Sequence, residues 1–110
     1  GMIESQACGK PVIGNRCHSM PELVIEGKTG LICETDKGWW RNLGGYIYPP
    51  NVDSLYEKME ESFKMSQDKD TAKLCRQNIM DNYNIDTLVE TKWKPFLTEL
   101  EEEIAEENKK

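Results

Sequence analysis

Two short apolar runs constrain this chain more than any other feature of it. Pro11-Val12-Ile13-Gly14 and Gly30-Leu31-Ile32-Cys33 are apolar without alternation, the pattern of strands buried on both faces. Between them, Ser19-x-x-Glu22 fits a capping box, and Pro21 is tolerated in a first helical turn. Glu26-Gly27-Lys28-Thr29-Gly30 then turns into the second run. Strand, short helix and strand in that order predict a crossover and hence a parallel pair.

The segment ahead of the first run, Ile3 to Cys8, has helical composition. Gly9 and Pro11 supply its stop signal. Gly1, ahead of Met2, reads as a scar of protease cleavage and is set aside. A helix of about two turns is marginal alone, so the chain is expected to begin in the middle of something larger. At the other end Asn84 can cap a long amphipathic helix with Asp86 in its first turn. Ile85, Leu88, Val89, Trp93, Phe96, Leu97, Leu100 and Ile104 recur at three- and four-residue steps. Pro95 should kink this helix or divide it.

The middle holds Gly38, Gly44 and Gly45 interleaved with Trp39, Trp40, Tyr46 and Tyr48. It reads as an exposed loop, a hairpin or an aromatic binding surface, with a brief strand at Tyr46-Ile47-Tyr48. After Pro49-Pro50, Asn51 or Asp53 caps a helix with Val52, Leu55, Tyr56, Met59 and Phe63 on one face. A further helix is expected over about Thr71 to Asn82, with Leu74, Cys75, Asn78 and Ile79 inward. The expected organisation is a single truncated domain. It has an α/β part over 1–35, an aromatic and glycine-rich insertion over 36–50, helices over 51–83 and the amphipathic helix over 84–110. Two or three strands among four or five helices make an incomplete Rossmann-like parallel sheet with a helical C-terminal end.

Charge and cysteine usage exclude several classes. The 110 residues carry a net charge of −6, of which the Glu-rich stretch from 99 to 110 supplies −4. That is a solvated helix end, and it argues against a phosphate footprint for nucleic acid. No apolar run approaches a membrane span and no signal-peptide pattern opens the chain, so a cytoplasmic location is expected. Cys8, Cys17, Cys33 and Cys75 form no C-x-x-C pair, and His18 is the one histidine. Free thiols are expected, with no metal site, no Cys–His catalytic pair and no catalytic residue assigned.

Three ordered blocks carry a resemblance: Glu4-Ser5-Gln6-Ala7-Cys8-Gly9-Lys10-Pro11-Val12-Ile13-Gly14, then Ser19-Met20-Pro21-Glu22-Leu23-Val24, then Gly27-Lys28-Thr29-Gly30-Leu31-Ile32. This first third of the chain resembles the C-terminal nucleotide-sugar-binding domain of retaining glycosyltransferases of the GT-B fold, the group 1 or family 4 class. The pattern there is E-x-x-A-x-G-x-P-V-I, P-E-L-V and G-x-T-G-L. The resemblance implies that Glu4, matching the second Glu of the E-x7-E signature, bonds the ribose of a nucleotide-sugar donor. It makes Gly9, His18, Ser19 and Glu22 site-loop residues, and it needs no cofactor beyond that donor substrate.

The first signature Glu, the phosphate-binding Arg and Lys, and the acceptor-binding N-terminal domain would precede residue 1. His18-Ser19 departs from the pattern, standing where the loop carries a Gly. In the bottom-up reading Glu22 caps a helix and Gly9, Gly27 and Gly30 supply turns. Trp39, Trp40, Tyr46 and Tyr48 either stack on a sugar or form a satellite core.

Two functions are therefore expected in competition. The first is a piece of a nucleotide-sugar-dependent glycosyltransferase, inactive alone and binding nucleotide weakly at best. The second is a non-catalytic module that binds a partner or itself. Its exposed apolar surfaces predict a homo-oligomer through the terminal helix or an open sheet edge. A short gene product starting at Met2 that regulates or completes another chain is a variant of the second.

Overall fold

The computed structural model describes residues 1–110. The two apolar runs form β1 (Val12–Asn15) and β2 (Gly30–Cys33), paired parallel with Val12 opposite Gly30 and Asn15 opposite Cys33. All four residues of β2 are buried, whereas in β1 only Gly14 is, the other three being half-buried. The crossover requires close approach at Gly30, where an added Cβ would collide with the Val12 carbonyl oxygen.

Helix α1 (Met2–Ala7) runs back along β1 and stops where Gly9 takes a left-handed φ of 76°. Its Gln6 is fully buried. Gln6 Nε2 donates to the Leu23 carbonyl at 2.8 Å and its Oε1 accepts from Asn78 Nδ2 at 2.8 Å. Asn78 lies on α3 (Lys69–Asn82), capped by Asp68, with Thr71, Cys75 and Ile79 also turned inward. A polar network thus joins α1, the crossover and α3 at the centre of a small core. Thr29, also buried, accepts from the Ile25 amide through Oγ1 at 2.9 Å.

Three expectations are corrected. The crossover is a 3-10 turn (Met20–Leu23), and Ser19 makes no side-chain cap bond. Ser19 sits in the right-handed helical region instead of the extended conformation an N-cap needs, so the Ser19–Glu22 box does not form. The Ser19 carbonyl alone accepts from the Glu22 amide.

Second, α2 (Val52–Ser66) is capped by Asn51 as expected but is rotated. Val52, Tyr56, Met59 and Phe63 face solvent, while Leu55, Lys58, Ser62 and Met65 are the half-buried line. The cause is polar: Ser54 Oγ accepts from the Glu34 amide at 3.0 Å, and the Asn51 amide donates to the Glu34 carbonyl at 2.8 Å. These bonds fix the helix entry and turn its apolar stripe outward.

Third, Leu74 is exposed on α3, not inward. Among the arrangements expected for the aromatic stretch, the hairpin is the one observed, with a brief strand at 45–47. β3 (Trp39–Arg41) and β4 (Gly45–Ile47) form a separate antiparallel ribbon, with Trp40 opposite Tyr46.

The C-terminal end is helical without a break from Ile85 to Asn108, with a π turn just ahead of Pro95. α4 (Ile85–Leu88), capped by Asn84, passes through a π turn (Val89–Trp93) into α5 (Lys94–Asn108), with Pro95 in its first turn. The molecule is a mixed α/β chain with a two-stranded parallel sheet and a helical C-terminal end. Its radius of gyration is 18.8 Å, against about 13 Å for a compact chain of this length. The excess reflects α5, every residue of which is exposed. No helix is long and apolar enough to cross a membrane.

Candidate functional site at the carboxyl edge of the parallel strands

In open α/β sheets ligands bind outside the carboxyl ends of the strands. Here that edge is assembled from four pieces. α1 precedes β1 and runs antiparallel to it, so its first turn, with Glu4, returns to the end of β1. The packing agrees: a Cβ on Gly14 would meet Met2 Cε and Met20 Cβ, and the Asn15 amide donates to Met20 Sδ at 3.4 Å. The loop Arg16–Ser19 leaves the same strand end, and Glu34 leaves the end of β2.

Glu4 is exposed and its carboxylate meets the terminal ammonium of Gly1 at 2.7 Å. That bond, reinforced by a backbone hydrogen bond, holds the carboxyl below the usual Glu range. Its side chain is exposed at the surface. Arg16 Nε donates to Glu34 Oε1 at 2.7 Å, and its Nη2 lies 3.7 Å from Glu26. The hydrogen bond to Glu34 raises the guanidinium pKa further, so this cation is committed to two carboxylates.

His18 has φ 52°, the one non-glycine residue in the left-handed region. It stands where the resembled pattern carries a Gly. Its ring meets Tyr48 edge-on with centroids 5.7 Å apart, Tyr48 stacks with Tyr46 at 6.0 Å, and Tyr46 meets Trp40 at 5.3 Å. An aromatic row thus leads from the strand edge along the ribbon. Trp40 and Tyr46 are exposed along it, which makes it a surface instead of a satellite core.

The backbone strain is testable. A left-handed non-glycine residue costs on the order of 1 kcal/mol. His18→Gly loses the ring contact but relieves the strain, whereas His18→Ala loses the ring and keeps it. His18→Gly is expected to be the more stable of the two by about 1 kcal/mol in urea denaturation. Equal midpoints would contradict the left-handed conformation.

The remaining expected site residues separate. Ser19 follows His18 and is exposed. Glu22 is exposed on the 3-10 turn, and its carbonyl accepts from Tyr83 Oη at 3.0 Å. Gly9 lies at the far end of α1, where a Cβ would touch Ala72 of α3 at 3.3 Å. It lines a shallow concavity of about 690 Å³ with Cys8, Ala72 and Arg76, away from Glu4. Sequence reasoning gave no role to Arg16 or Gln6. The one signal for Arg16 is its position immediately after a strand, and Gln6 had none. No group of three or more His, Cys, Asp or Glu residues is placed to hold a metal ion.

Fold and edge together define the class: a mixed α/β chain whose candidate site lies where parallel strands end, with an exposed carboxylate and a left-handed loop. A stretch of 33 residues is 46% identical to N-acetyl-alpha-D-glucosaminyl L-malate synthase of Bacillus anthracis. The match covers 30% of this chain and spans 9% of that protein's length. The chain therefore carries a short glycosyltransferase-like segment. No family model matches the chain, and no solved structure matches it.

Proposed function

We propose that this chain supplies the ribose-holding edge of a nucleotide-sugar site in a glycosyltransferase of the GT-B, group 1 type, working in the cytoplasm. The observation that carries the reading is Glu4: an exposed carboxylate in the first turn of α1, the helix whose Met2 packs near the carboxyl end of β1. Two carboxylate oxygens accept two hydroxyl hydrogen bonds at once, which suits the paired hydroxyls of a ribose. His18 and Ser19 form the loop beside it, and the short similarity to a bacterial glycosyltransferase supports the same reading. Glu22 contributes through the position of the 3-10 turn, and Gly9 through ending α1.

The sheet supports a larger assembly. Its two parallel strands are both edge strands, while parallel sheets ordinarily have more strands and both faces covered. In this reading β1 and β2 belong to a larger doubly wound sheet, and the site is completed by segments that hold the diphosphate. Arg16 does not serve that purpose, being held by Glu34 and Glu26.

Two outcomes follow. The isolated chain transfers no sugar from a nucleotide-sugar donor to any acceptor. Calorimetric titration with nucleoside diphosphates gives dissociation constants weaker than micromolar, because Arg16, the cation that follows β1, is already held by Glu34 and Glu26. Measurable transfer, or micromolar affinity, would overturn the reading of an incomplete site.

A further inference from the structure

Helix α5 poses a separate question. A 15-residue helix that packs on little besides the preceding π turn is marginal in water on its own. It nevertheless carries a continuous apolar stripe. Trp93, Phe96, Leu97, Leu100 and Ile104 fall within about 100° of the helix circumference, and each is between 39% and 55% exposed.

We infer that this stripe is the interface of an antiparallel dimer with a second copy of the chain. Two observations select that occupant. The first is spacing. Trp93, Leu97, Leu100 and Ile104 follow one another at steps of four, three and four, a series that reads the same in both directions. A second helix laid antiparallel therefore matches every position: Trp93 against Ile104 of the partner subunit, and Leu97 against Leu100 of the partner subunit. Knobs from each helix then meet holes in the other, as in coiled coils.

The second is charge. Lys92 and Lys94 stand at the start of the stripe, and Glu101, Glu102, Glu103, Glu106 and Glu107 toward its end. A parallel pair would lay five glutamates against their own copies. The antiparallel pair brings Lys94 beside Glu101 of the partner subunit, on the same flank of the stripe, twice by symmetry. Lys94 is free to do so at small loss: its contact with Glu90 is an exposed surface pair.

The test combines hydrodynamics with crosslinking in a background where Cys8 and Cys17, the accessible thiols, are replaced by Ser. At tens of micromolar, sedimentation velocity should show a species of twice 12.7 kDa, and Leu100→Glu should return it to monomer. In the antiparallel register residue 93 and its own copy are roughly 16 Å apart along the axis. Trp93→Cys protein alone, and Ile104→Cys protein alone, should therefore not crosslink, whereas a mixture of the two should form a disulfide.

A monomer at that concentration would overturn the proposal, as would a dimer that survives Leu100→Glu, which would lie on another surface. Crosslinking of Trp93→Cys protein with itself would show a parallel pair and would equally overturn it. Leu100 is exposed, so its substitution leaves the monomer core intact, and an unchanged urea midpoint of the monomeric variant checks that.

Discussion

Gly30→Ala should abolish the folded state or bring it close to its limit. The new Cβ has nowhere to go: it would overlap the Val12 carbonyl oxygen and touch Val24 Cγ1. The first obstacle is backbone of the paired strand, so relief requires moving β1 away from β2 and losing their ladder. A loss of about 4 kcal/mol or more is expected, in the range reserved for core disruption. A domain of this length has about 5–15 kcal/mol in total, and this core is small.

Two controls isolate the cause. At Gly14 the nearest atom is the flexible end of Met2, and at Gly45 nothing lies within 4 Å. Gly14→Ala should cost no more than about 1 kcal/mol and Gly45→Ala about nothing, read from urea midpoints. If Gly30→Ala behaves like Gly45→Ala, the close strand approach is wrong.

The second large effect is expected at Gln6. Gln6→Leu keeps the volume but removes the donor to the Leu23 carbonyl and the acceptor of Asn78 Nδ2. Asn78 Nδ2 reaches the same carbonyl only at 3.4 Å, too long to replace the lost bond. Two buried polar groups are left underserved, at about 1–3 kcal/mol each, so a loss of about 3 kcal/mol is expected. Asn78→Leu should cost a similar amount.

The double variant should cost clearly less than the two single losses together, because the amide no longer faces an apolar partner. Additive losses in a double-mutant cycle would show that the two side chains are not coupled. The m-value should stay unchanged, since the surface exposed on unfolding is the same.

These two residues show how unevenly the fold can be read from its residues. The parallel pair was legible because unalternating apolar runs flanking a short connector have few other solutions. The end of α1 was legible because Gly9 must turn left-handed there. Asn51 and Asn84 cap as their chemistry suggests. Position 6, by contrast, is a glutamine on a short helix, which sequence patterns assign to solvent. Only the convergence of Leu23 and Asn78, from distant parts of the chain, makes it central.

The orientation of α2 was illegible for a related reason. Its strongest apolar stripe, Tyr56, Met59 and Phe63, is outward, and two polar residues at its start determine its rotation. Periodicity finds the stripe but not what it faces. The Ser19–Glu22 box failed because a capping pattern reports composition and not the backbone angle at the cap. The aromatic row from His18 to Trp40 required the pairing of β3 with β4, which the glycine-rich stretch left open among several arrangements.

The candidate site was legible only through resemblance. Composition gave no reason to single out Glu4. The structure adds that its side chain is exposed, and it adds the commitment of Arg16 to Glu34. It also moves Gly9 to the opposite end of α1.

The most direct measurement is a nucleoside diphosphate titration followed by amide resonances of the labelled chain, carried to millimolar concentration. Saturable shifts are expected at Glu4 and at His18, Ser19 and their neighbours, and they should vanish in Glu4→Gln, whose folding is unchanged. No shifts at this edge, or shifts that persist unaltered in Glu4→Gln, would contradict the assignment of a ribose-holding carboxylate.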